Sequence, residues 1–166
     1  MLTSRDEKDF IMRMIKQIMR MMAALIGKKL EGDLGGALQL ARTAEGTLLG
    51  PLAGIAPRLD SVTAAHMVAD ADILALWAEV VAEESDVHRR MGDEPAARAA
   101  EKRALELALE AHLRTPKDRP ELLTLIARLR PAVDEPALVP RHREALAEIR
   151  TVAPPAAEEA EEAEEA

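Results

Sequence analysis

Residues 73 to 113, ILALWAEVVAEESDVHRRMGDEPAARAAEKRALELALEAHL, decide the fold. Ile73, Leu76, Trp77, Val80, Val81, Val87 and Met91 recur at helical spacing, and Gly92 ends that helix where a left-handed residue is needed. Asp93 then caps a second helix, with Pro95 in the first turn, where its missing N–H costs nothing. This second helix, to about Leu113, carries a row of small residues, Ala97, Ala100, Ala104, Ala108 and Ala111, that lets a neighbouring helix approach closely. The stretch therefore reads as two antiparallel helices joined by a tight turn at Gly92-Asp93.

The rest of the composition agrees with helix. The chain has 166 residues, 48% of them hydrophobic, with one Phe, one Trp, no Tyr and no Cys. Ala, Leu and Met dominate the apolar total and favour helices, whereas the β-branched and aromatic residues that build sheets are scarce. A domain of about 150 residues buries about 68–70% of its unfolded surface, so an aliphatic core suffices. The absence of cysteine excludes a disulfide framework and a thiolate metal site, and residues 1 to 20 lack the apolar stretch of a signal peptide, so a cytoplasmic location is expected. A net charge of −8 argues against nucleic acid, whose phosphates need clustered Lys and Arg.

Working outward, Asp33 caps a helix that ends at Gly50-Pro51, and Ser61 or Thr63 can cap a short turn through His66 to Val68. Asp70 or Asp72 opens the helix of the quoted stretch. Beyond it, Leu122 to Leu129 and His142 to Arg150 make two further helices between proline-punctuated loops. The tail, TVAPPAAEEAEEAEEA, holds six Glu and no base, which leaves −2 on the remainder; like charge and low hydrophobicity predict disorder there. Three segments follow: residues 1–30, 31–150 and 151–166.

The first segment is the most informative for function. A capping box at Ser4 and Glu7 opens a helix expected to run to about Ile26 and stop at Gly27. At about 100° per residue, Arg13, Lys16, Gln17, Arg20 and Lys28 share one narrow face, and Lys29 adds to the local basicity, since Phe10 to Lys29 holds five bases and no acid. The apolar residues cover roughly two-thirds of the circumference, far beyond the ~100° stripe of an ordinary surface helix. Such a helix is buried on more than one side. The expected interaction set is Phe10, Ile11, Met14, Ile15, Ile18, Met21, Met22 and Leu25, with a homo-oligomer formed through Ile11, Ile15, Ile18, Met22 and Leu25. Alternatives are a membrane-surface helix whose basic residues (Arg13, Lys16, Arg20, Lys28, Lys29) reach anionic headgroups, and an adaptable Met-rich partner surface. Spanning a bilayer is excluded, because Arg13, Lys16 and Arg20 sit mid-segment at a cost of ~2.5–3.5 kcal/mol each.

No catalytic set can be nominated. The four histidines lie on separate elements; Glu84 and His88 share a helix face but have no second ligand pair, and Gly32, Gly35 and Gly36 follow a helix and not a strand, unlike a phosphate-binding loop. Neither a cofactor nor a metal is expected.

The run MGDEPAARAAEKRALELALEA resembles a tetratricopeptide repeat, with Gly92 at the turn, Ala97 and Ala104 at the small positions five and twelve residues later, then Leu105 and Leu107. Ser85 takes a small position in the preceding helix, whereas Glu84, His88 and Glu101 depart from the Leu and aromatic residues the family prefers. The first helix, Asp9-Phe10-Ile11-Met12-Arg13 continued by Met14-Ile15-Lys16-Gln17, resembles the opening of an uncharacterised bacterial family that also ends in a repeat-like hairpin and carries no established activity. The resulting expectation is an all-α fold of antiparallel, tetratricopeptide-like hairpins in a bundle or short solenoid. Its expected role is that of a non-catalytic protein–protein interaction or scaffold protein with an unidentified protein partner, or alternatively a peripheral membrane adaptor.

Overall fold

Helix follows helix along the chain, which a computed structural model describes for residues 3 to 115 and 119 to 152; no strand occurs among them. The order is α1 (Ser4–Leu30), α2 (Leu34–Leu49), α3 (Ser61–Met67), α4 (Ala71–Arg90), α5 (Glu94–Arg114), α6 (Pro120–Leu129) and α7 (Pro140–Val152), with 3-10 turns at Gly50–Leu52, Ala56–Arg58, Arg130–Ala132 and Glu135–Ala137. The chain divides into two units, Met1–Asp134 and Glu135–Ala166. In the second, a 3-10 turn precedes α7 and Arg150 pairs with Glu135. The expected acidic tail lies, from residue 153 onward, outside the described residues.

Within the first unit α4 is the central helix, packed against α1, α2, α5 and α6. Its inward residues Leu74, Trp77, Val80, Val81 and Val87 are buried, together with Ala37, Ala41, Ala44 and Leu48 of α2 and Leu105, Leu107 and Leu109 of α5. Many of the buried residues of α2 and α5 are alanine, and apart from Trp77 the large buried apolar side chains are aliphatic. α5 also fixes the irregular stretch before α4. Arg103 donates to the Leu59 and Ala56 carbonyls, and Arg114 to those of Val68 and Ala65. The Ala56 and Ala65 carbonyls also accept the backbone N–H groups of Leu59 and Val68, so each guanidinium group ties an already bonded turn carbonyl to the carbonyl that follows the turn.

Three helix ends correct the sequence reading. The cap of α1 is Thr3, not Ser4: Thr3 Oγ1 accepts from Asp6 N and the Asp6 carboxylate accepts Thr3 N–H, so the shorter acid closes the capping box one residue earlier. Gly27 does not stop α1, which continues one turn to Leu30 and ends at Gly32, whose φ of +79° is left-handed. α3 is capped by Asp60, whose carboxylate accepts from Thr63 N, while Ser61 is buried and donates to Glu106. Elsewhere the local signals agree with the structure: Asp33 accepts from Gly36 N, Asp70 from Asp72 N and Ile73 N, and Asp93 from Ala96 N.

Gly92 ends α4 with φ +82°, and an added Cβ would meet nothing within 4 Å. The expected penalty for Gly92→Val is therefore torsional alone, about 1–2 kcal/mol, read as a lower urea midpoint with an unchanged slope.

Candidate functional site

The fold divides the wide apolar arc of α1 into a covered part and an uncovered part. Ile18 and Leu25 are fully buried, so the face they centre is the one turned to α2 and α4. This corrects the expectation that both belong to an interface between copies: the chain's own helices already cover them. Ile11, Met14, Ile15, Met21 and Met22 flank that line and are half-buried. Phe10, Ile11 and Met14 line a groove of about 370 Å³ with Leu48 and Leu49 of α2 and Ile73 of α4. Ile15 instead borders a cleft beside Asp72 and Glu79 of α4 and Glu121 of α6, and Met21 lies beside Leu40 of α2.

The basic residues also separate. Lys29 does not belong to the outer basic face. Its Nζ turns inward and donates to Glu83 Oε2 at 2.6 Å and Asp86 Oδ2 at 2.7 Å, fastening the last turn of α1 to α4. Burial pushes the Lys29 ammonium down, but the hydrogen bonds and charges of Asp86 and Glu83 outweigh it and hold it above its ordinary value. This anchor explains why α1 continues past Gly27. Lys28 pairs with Asp33 at 3.1 Å. Arg13, Lys16 and Arg20 remain as an exposed row, and the Nε atoms of both arginines donate to the carbonyls four residues earlier.

The large apolar residues of α1 left exposed are Phe10, Met12, Met19, Ile26 and Leu30, and three of them, Met12, Met19 and Ile26, with fractional exposures of 52%, 60% and 42%, lie along one strip. They recur every seven residues, with Ile15 and Met22 between them, which is the a/d pattern of a helix seam. On the α1 circumference this seam runs between the Ile15 edge, next to α4 and α6, and the row of Lys16 and Arg20. The sequence reading left these three residues out of the interaction set; the seven-residue recurrence was the signal that could have found them.

Of the hairpin residues, Gly92 forms the turn and Ala97 and Ala104 are fully buried at the meeting of α4 and α5. Ser85 Oγ donates to the Ala97 carbonyl at 2.9 Å, a close approach that small residues permit. Glu101 accepts hydrogen bonds from both terminal nitrogens of Arg89 at 3.1 and 2.8 Å, which satisfies this buried carboxylate.

A second polar cluster is partly buried. His88 Nε2 stands 3.6 Å from Glu84 Oε1. Burial pushes the nearby Glu45 carboxyl up and the Glu84 charge adds to it, while the Trp77 indole and Arg103 oppose the shift. Among the described residues no group of three or more His, Asp or Glu side chains is placed to hold a metal ion, and no helix is long and apolar enough to cross a membrane. Compared with family models, curated proteins and solved structures, the chain finds no match.

Proposed function

We propose that the protein is a non-catalytic protein–protein interaction or scaffold protein, with α4 and α5 as a tetratricopeptide-like hairpin, that self-associates through the outer side of α1. The observation that carries this reading is the seam of Met12, Met19 and Ile26, three large apolar side chains aligned and about half exposed on one helix. A continuous apolar strip of this kind marks an interaction surface, whereas scattered exposed residues do not. Unbranched Met side chains suit such a surface because they repack around a partner.

The row of Arg13, Lys16 and Arg20 beside the seam favours a second reading, an anchor on an anionic membrane surface. Asp72, Glu79 and Glu121 along the other edge oppose it, since anionic headgroups would approach them too.

Light scattering tests the proposal. The expected mass at high micromolar concentration is that of two chains or more, falling to one chain in the Met12→Glu, Met19→Glu double variant. Both residues are exposed, so the variant is expected to keep its helical circular dichroism and melting temperature. A wild-type mass of one chain overturns the reading, and co-sedimentation of that monomer with anionic vesicles would replace it with the membrane anchor.

A further inference from the structure

The seam has two edges of opposite charge. On one side run Lys16 and Arg20, with Arg13 behind them, and no acid occurs between Phe10 and Lys28 to neutralise them. On the other side Ile15 borders the cleft that holds Asp72, Glu79 and Glu121. Arg119 contacts Asp72 and the Arg128 charge acts on Glu79, so three carboxylates stand against two guanidinium groups and the edge keeps a net negative charge. The apolar strip itself has the geometry of a two-heptad helix seam, with Met12, Met19 and Ile26 at one core position and Ile15 and Met22 at the other.

Two helices can meet along such a seam in either sense, and symmetry decides which edges then face each other. In an antiparallel pair the two-fold axis crosses the helices, and each edge meets the same edge of the other copy. The Lys16 and Arg20 row would face another Lys16 and Arg20 row, and the acids would face acids. In a parallel pair the axis runs along the helices, and each edge meets the opposite edge. The basic row of one copy then faces the Asp72, Glu79 and Glu121 edge of the other, twice over, as an isologous interface requires. Like-charge juxtaposition penalises the first arrangement and charge complementarity favours the second.

We infer that the occupant of the α1 seam is a second copy of this chain, packed with its α1 parallel and in register, so that Lys16 and Arg20 of each copy face Asp72, Glu79 and Glu121 of the other. The inference rests on the self-association reading and adds the orientation and the charge pairing. It also gives each residue beside the seam a role. Met12, Met19 and Ile26 supply the apolar contact, and the two charged edges select the register.

The absence of cysteine from the chain makes orientation directly readable. Single Cys substitutions at Met12 and at Ile26 sit toward opposite ends of the seam. A disulfide needs Cα atoms about 4.4–6.8 Å apart, so only facing positions join on mild oxidation. In the parallel pair each single variant, Met12→Cys or Ile26→Cys, cross-links with itself into a two-chain band. If neither does so and only the mixture of the two variants cross-links, the pair is antiparallel and the orientation is overturned while self-association stands. If the wild-type chain scatters as a monomer and no variant or mixture cross-links, the self-association reading itself fails.

A second measurement reads the charge pairing by sign. Replacing Lys16 and Arg20 by Ala removes an attraction in the parallel pair, and the dimer dissociation constant is expected to rise about tenfold or more at low salt. In an antiparallel pair the same change removes a repulsion and tightens the dimer. A dissociation constant that falls or does not move overturns the proposed pairing.

Discussion

Trp77→Ala is expected to lower the unfolding free energy by about 3–5 kcal/mol, the largest effect of any single truncation in this chain. Trp77 is the only Trp, is fully buried in α4, and is the largest side chain of a core whose other apolar residues are Ala, Leu, Val and Ile. Small neighbours cannot fill the space it would vacate, because Ala has no rotamer to move. The ring also supports Arg103, whose guanidinium lies 5.2 Å from its centroid and donates to the Leu59 and Ala56 carbonyls. Losing the ring therefore loosens the segment between α2 and α3 as well as the α4 core. With domain stabilities of about 5–15 kcal/mol, a loss of this size leaves a marginal fold. Urea denaturation followed by circular dichroism measures it, since the variant has no indole to report fluorescence. Trp77→Phe keeps a ring in the cavity and is expected to cost less than half as much. A Trp77→Ala loss below about 1 kcal/mol would show that the site collapses freely, which contradicts the packing described for α4.

What could be read from the sequence was local. Gly92-Asp93, Asp33 and Gly50-Pro51 give turn and cap chemistry within a few residues of each other, and the structure places helix ends at those points. The capping box of α1 was ambiguous because Thr3 with Asp6 and Ser4 with Glu7 offer the same chemistry one residue apart. Gly27 misled for a different reason. Its helix is held open past the glycine by Lys29, which binds Glu83 and Asp86 more than fifty positions away, and no local pattern encodes that distance. The same holds for Arg103 and Arg114, which serve carbonyls more than forty positions earlier.

The apolar arc of α1 divides along the same line. Periodicity showed that the apolar arc of α1 is too wide for one neighbour, but which part the fold covers depends on where α2 and α4 lie. They cover the line of Ile18 and Leu25, so an Ile18→Glu change would probe the core and not an interface. The line left open, Met12, Met19 and Ile26, is equally apolar and equally periodic in the sequence. Only the packing distinguishes the two.

Ala97→Leu is expected to cost about 1–3 kcal/mol, the usual range for forcing extra methylenes into a packed contact. Ala97 is fully buried, and its carbonyl accepts from Ser85 Oγ at 2.9 Å, so α4 and α5 meet there with no room for a longer side chain. The strain can be relieved only by moving the helices apart, which would also stretch the Ser85 bond. Arg89 and Glu101, one turn along, resist that movement with their two-pronged pair. Ala100 provides the control on the same helix: it is only half-buried, so Ala100→Leu can direct its side chain outward and is expected to change stability by less than about 0.5 kcal/mol. The contrast separates packing from helix propensity, because Ala to Leu alters propensity almost equally at both sites. Chemical denaturation of the two variants decides the matter. Equal midpoints for Ala97→Leu and wild type would mean that α4 and α5 do not meet at a row of small residues. The tetratricopeptide-like reading of residues 73 to 113 would then fall, since close approach at Ala97 and Ala104 is the structural content of that resemblance.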